Sequence, residues 1–121
     1  MANEISYSMQ IQYSKNGRSQ TKAATSNTLT VTADTLQSGV VATASAAHAA
    51  LDLGSVVAPG LSHFENLDDT NTITIGYDDG GSFVTAASLA PGMEAIFKPT
   101  GSPYAKSGAG TPLLSYTIFG V

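Results

Sequence analysis

"HFENLDDTNTITIGYDDGGSF", from His63 to Phe83, sets four aspartates and a histidine around a short apolar run. Two readings compete: carboxylates gathered on a ligand, or two turns with a strand between them. Ile73, Ile75 and Tyr77 alternate with polar residues or glycine, the period of a half-buried strand. "DDTN" precedes the run and "DDGG" follows it. Aspartate and asparagine favour turns because their side chains bond nearby backbone and tolerate left-handed conformations. "DGG" between two apolar runs is a hairpin signal. Asp68 and Asp69 are thereby placed at one end of a strand, with Asp78 and Asp79 at the other. Six residues at about 3.3 Å each separate those ends by roughly 20 Å, too far for one metal ion to bridge. Gly76 marks a place where a bulge or a neighbouring backbone needs room. Neither aspartate pair has the spacing and late glutamate of a calcium loop. Turn chemistry is the preferred reading, with a weak surface calcium site second and paired catalytic carboxylates third.

The same punctuation extends in both directions. Ile5, Tyr7, Met9, Ile11 and Tyr13 alternate with serine and glutamine, which predicts a strand with one apolar face turned inward. "KNG" at Lys15–Gly17 predicts a turn. Arg18 to Asn27 is polar and aperiodic and is expected to be a loop, after which Thr28 to Ala33 alternates again. Val40 to Ala46 reads as a strand, whereas the alanine-rich continuation to Leu53 is open between strand and short helix. Short runs follow at Leu61–Leu67, Thr72–Tyr77, Ser82–Leu89, Met93–Lys98 and Leu113–Phe119, each bounded by turn residues. Lys98 to Pro112 reads as a loop with a short strand at Tyr104–Lys106. Many short strands without a long amphipathic helix predict an all-β fold, an antiparallel β-sandwich or barrel of about eight strands. One domain over residues 1–121 is expected, with 1–27 as an N-terminal strand plus polar loop.

Composition narrows the function classes. Charged residues are 12% of the 121 and hydrophobic residues 42%. So few charges give a hydroxyl-rich surface with a small desolvation penalty on entering an interface. The absence of cysteine removes disulfides, thiolate zinc sites and cysteine nucleophiles. The net charge is −4, and the nearest thing to a basic patch is Lys15, Arg18 and Lys22, read as a solvated hairpin tip. No nucleic-acid partner is expected. No run of 18 apolar residues occurs, so no membrane span and no membrane partner are expected. "MANEISYSMQ" lacks the basic and apolar regions of a signal peptide, so a protein acting outside a cell would leave by another route such as lysis.

Catalytic and cofactor signals are weak. His48 and His63 stand in no ligand-spaced pattern, and no G-x-S-x-G elbow, G-x-x-x-x-G-K or G-x-G-x-x-G occurs. No enzyme activity, cofactor or metal is expected. Tyr7, Tyr13, Tyr77 and Tyr116 fall on apolar faces of the predicted strands. Tyr104, beside Pro103, is left as the tyrosine for an exposed contact or a loop anchor.

Within Phe64–Pro99, Asn66, Leu67, Asp68, Thr70, Asn71, Gly76, Leu89, Pro91 and Gly92 form a pattern, preceded by "ALDLG" at Ala50–Gly54. This pattern resembles small jelly-roll proteins from the structural modules of tailed bacteriophages, over about half the chain. The resemblance implies a jelly-roll sandwich and a non-enzymatic virion protein. The favoured role is a capsid decoration or cement protein, a homotrimer that binds the major capsid protein on the virion surface after synthesis in the host cytoplasm. Met1–Asn27 and Lys98–Pro112 are then the expected contact surfaces, with Lys15, Arg18, Lys22, Tyr104 and Lys106 as candidate interface residues. The alternatives are a tail- or fibre-associated adaptor and a host-glycan or receptor-binding module.

Overall fold

The computed structural model describes residues 5–121, apart from the side chain of Ala24. The chain divides into two compact units, Met1–Thr32 and Ala33–Val121. Each is described separately.

The first unit is a long antiparallel hairpin of β1 (Ile5–Lys15) and β2 (Arg18–Leu29). Asn16 and Gly17 form its two-residue turn, with φ of 51° and 77°. Positive φ at both turn residues matches the right-handed twist of the flanking strands. Between Met9 and Ile11 the register shifts, so that Met9 faces Thr25 while Ile11 faces Lys22. That places an extra β2 residue opposite Gln10, a β-bulge.

Three sequence expectations change here. Arg18–Asn27 is not a loop but most of β2, because main-chain pairing with β1 holds it. A ribbon wet on both faces needs no apolar alternation. The strand expected at Thr28–Ala33 ends at Leu29. The apolar face of β1 is also not turned inward along its length. Only Ile5 is buried, whereas Met9, Ile11 and Tyr13 are 51%, 67% and 53% exposed.

The second unit holds eight strands in two four-stranded sheets. They are β3 (Leu36–Ala42), β4 (Ala49–Ala50), β5 (Pro59–Asn66), β6 (Ile73–Asp79), β7 (Ser82–Leu89), β8 (Glu94–Phe97), β9 (Tyr104–Ser107) and β10 (Leu113–Gly120). One sheet has the order β3-β10-β5-β8 and the other β4-β9-β6-β7, and every described pairing is antiparallel. Successive strands alternate between the sheets except at the β6–β7 hairpin, which stays in one sheet, and the two strand orders are those of a jelly roll. The all-β antiparallel sandwich expected from the sequence is therefore observed, and among the described residues there is no helix.

The core lies between the two inner faces. Phe64, Leu114 and Ile118 come from the first sheet and Ile73, Ile75 and Leu89 from the second, all of them at most 2% exposed. Phe64 and Phe97 pack with ring centroids 5.2 Å apart. Tyr116 is buried among these side chains and donates its hydroxyl to the Asp52 carbonyl oxygen at 3.0 Å.

The alanine-rich segment takes the strand alternative, in the two residues of β4. Its backbone groups bond across the fold: Ser107 N–H to the Ala44 oxygen, and Leu51 N–H to the Pro103 oxygen. Leu51 and Val56 meanwhile enter the core. Those tertiary bonds occupy groups that a helix would use internally, so alanine's helix propensity loses.

Candidate functional site

The aspartates of the opening stretch separate as the turns require, with one exception. Asp68 accepts the backbone N–H groups of Thr70 and Asn71 through Oδ2, at 3.1 and 2.6 Å. Asp69 Oδ1 accepts the Thr70 hydroxyl at 2.9 Å. The buried Asn66 side chain anchors the same turn. Its Nδ2 donates to the carbonyl oxygens of Asn71 and Leu89, and its Oδ1 accepts from the Asp68 N–H. At the far end of β6, Asp79 faces Ser82 across the Gly80–Gly81 turn.

Asp78 is the exception. Its Oδ1 lies 2.6 Å from Nε2 of His48, thirty positions earlier in the chain. The hydrogen bond from His48 is the main reason the Asp78 carboxyl is held below the ordinary aspartate range; desolvation opposes it, and the Gly81 backbone N–H adds a lesser push in the lowering direction. The His48 ring also packs against Phe83 and Tyr104, at centroid distances of 5.3 and 5.4 Å. β6 supplies Asp78, β7 supplies Phe83, β9 supplies Tyr104, and His48 sits just before β4. One contact set therefore crosses the whole second sheet. Beside it is an open depression of about 370 Å³ lined by Tyr77, Asp78, Thr100, Gly101, Ser102 and Tyr104. Tyr77 borders it with a hydroxyl that accepts the Thr100 N–H at 3.1 Å.

This cluster is not visible in the sequence, because His48 and Asp78 are brought together only by the pairing of four strands. Tyr104 lies half-buried at the start of β9, the short strand expected at Tyr104–Lys106, with its ring against His48. The rest of the Lys98–Pro112 segment is corrected. Ala105 belongs to the core, Pro103 and Ser107 are buried, and the Pro112 oxygen accepts both N–H and Oγ1–H of Thr43. Most of this stretch builds the sandwich and is not spare chain. Lys106 follows Tyr104 on β9 and faces Thr74 of β6.

His63 lies elsewhere, on the outer face of the β3-β10-β5-β8 sheet. Its Nε2 is 3.1 Å from Glu94 Oε2, and Glu65 faces Glu94 directly across β5 and β8. Among the described residues no group of three or more histidine, aspartate or glutamate side chains is placed to hold a metal ion.

The other candidate interface residues lie on the hairpin. Lys15 faces Arg18 at the turn, and Lys22 faces Ile11. By alternation, Tyr7, Met9, Ile11 and Tyr13 share their ribbon face with all three cations, while Ser6, Ser8, Gln12 and Ser14 share the other with Thr28, Ser26, Thr21 and Ser19. From Ile5 to Leu29 the hairpin contains no acidic residue. Searches against protein-family models, curated proteins and solved structures find no match to this chain.

Proposed function

We propose that this chain is a non-enzymatic structural protein of a tailed-phage virion, a decoration protein that binds the major capsid protein and stiffens the head. The observation that carries the reading is the hairpin. A two-stranded ribbon is at best marginally stable alone in water. This one nevertheless leaves Met9, Ile11 and Tyr13 more than half exposed. Such a ribbon gains order when a neighbour covers it, which suits a subunit that works inside an assembly. The low charge and hydroxyl-rich hairpin face lower the desolvation penalty of that contact. The jelly-roll sandwich and the Asn66–Asn71 turn fit the phage proteins that the sequence resembles. Binding only to the assembled shell would stabilise it by mass action.

The test uses heads stripped of accessory proteins and the purified full chain. The expected result is saturable rebinding at a fixed copy number and greater resistance of the heads to heat or chelator. A second reading, a host-glycan module, is favoured by the Tyr77, Tyr104 and Asp78 side chains that line the open depression. Aromatic faces and a carboxylate suit a sugar's apolar face and its hydroxyls. Failure to bind heads, together with retention on a polysaccharide array, would replace the first reading by the second.

A further inference from the structure

The charges of this protein are unevenly divided. The hairpin carries Lys15, Arg18 and Lys22 without an acid, whereas Ala33–Val121 carries eight acidic residues against Lys98 and Lys106. On the hairpin the charges have an order. One column, along β1, is apolar: Met9, Ile11 and Tyr13. The column beside it, on β2, carries Lys22 and, at the turn, Arg18.

The outer face of the β3-β10-β5-β8 sheet has the complementary order. Alternation puts Leu36 and Val40 of β3 and Leu113 of β10 on that face, 55%, 60% and 47% exposed. Two strands away, Glu65 of β5 and Glu94 of β8 stand opposite each other on the same face. Like charges directly opposed across a strand pair destabilise it. Among the described residues His63 is the one hydrogen-bond partner of this pair, and it touches Glu94. The sheet thus presents its exposed apolar side chains toward the β3 edge, with the hydroxyls of Ser38, Ser115 and Thr117 among them, and its two carboxylates toward the β8 edge.

From this match we infer that the occupant of the sheet's outer face is the hairpin of a second copy of this chain. The β1 column lies over Leu36, Val40 and Leu113, and the cations reach Glu65 and Glu94. Face-to-face sheets pack about 10 Å apart, close enough for long lysine and arginine side chains to span the gap. One ribbon face, about 40 Å by 10 Å, covers on the order of 400 Å² of a neighbour. Each hairpin–sheet contact would bury about 800 Å² in total, the size of a weak interface, and a copy that both donates and receives a hairpin is held by two of them. Because donor and acceptor surfaces differ, the contact is heterologous, and the rotation between copies decides whether it closes into a ring or runs on as a filament. This deepens the assembly reading above without depending on the capsid: the hairpin's mixed face joins copies, and its serine- and glutamine-rich face is left for other contacts.

The experiment is a charge swap on the full chain, read by sedimentation over a concentration series at low and moderate salt. Wild type is expected to self-associate, and the association weakens as salt rises. Lys22→Glu with Arg18→Glu, or Glu65→Lys with Glu94→Lys, each raises the dissociation constant at least tenfold. Combining the two pairs restores association to within a few-fold of wild type. Circular dichroism and thermal melting show that each variant keeps its fold. A wild-type monomer at all concentrations, or a combined variant no tighter than its parents, would overturn the inference. Because no capsid is present, that outcome is separate from failure to rebind stripped heads.

Discussion

The side-chain amide of Asn66 donates to the main-chain oxygen of Leu89 at 2.9 Å, tying the end of β5 to the end of β7. The same amide holds the Asn71 oxygen at 2.8 Å, and its Oδ1 accepts the Asp68 N–H. Asn66 is fully buried. Replacing it by leucine keeps the branched shape but removes the polar atoms, and orphans three backbone groups, at about 1–3 kcal/mol for each one left dry. Asn66→Leu is therefore expected to lower unfolding stability by about 3 kcal/mol or more in urea titration. A loss below about 1 kcal/mol would mean that water reaches the turn and that Asn66 is not its anchor.

Gly76 makes a sharper steric prediction. The β6–β7 register shifts between Ile75 and Gly76, and any Cβ at position 76 would collide with the Val84 carbonyl oxygen and crowd the Phe83 ring. Backbone cannot move aside as a flexible side chain can. Gly76→Ala is expected to cost about 2 kcal/mol or more. Gly101→Ala, where a methyl meets nothing within 4 Å, stays within about 1 kcal/mol of wild type. Equal effects at the two positions would contradict this geometry.

The His48–Asp78 contact makes a prediction about acid. Asp78 is held below its ordinary range in the folded protein, chiefly by the His48 hydrogen bond. A lowered folded value means that the ionised carboxylate stabilises the fold at pH above its unfolded value. That contribution is lost as pH falls through the folded value, so the window lies below about pH 4. Carboxyl-carbon NMR titration of Asp78 is expected to show a midpoint below that of an unstructured aspartate. His48→Ala moves the midpoint upward. A midpoint that stays put in the variant would assign the shift to the Gly81 N–H instead.

The residues that were legible in the sequence are those whose environment is set locally. The turn at Asp68–Asn71 follows from side chains that bond backbone two or three positions away. Ile73 and Ile75 alternate because one face of β6 meets the core. What was not legible depends on partners distant in the chain. His48 meets Asp78 only after β4, β9, β6 and β7 have paired, and no spacing rule encodes that. Arg18–Leu29 became a strand through pairing alone. The β1 alternation misled in another way: period two reports that one face is apolar, not that anything covers it. Met9, Ile11 and Tyr13 carry the pattern of a core strand on an exposed ribbon.

That exposure gives a last prediction. Amides of Phe64, Ile75 and Leu114 sit in paired strands of a packed sandwich, with side chains at most 1% exposed. The β1–β2 amides are protected by a ribbon with little buried apolar surface, so local opening there has a low free energy. Hydrogen exchange across 5–29 is expected to be much faster than at those core positions in dilute protein, and to slow as concentration or an assembly partner covers the ribbon. The turn should control this. Asn16 has φ of 51°, a left-handed conformation that β-branched residues resist. Asn16→Val, at about 1 kcal/mol or more of local strain, should speed exchange throughout β1 and β2 and leave the amides of Phe64 and Leu114 unchanged. Uniform acceleration across both units would show that the hairpin and the sandwich open together, and that the ribbon is not the separately labile element its exposure indicates.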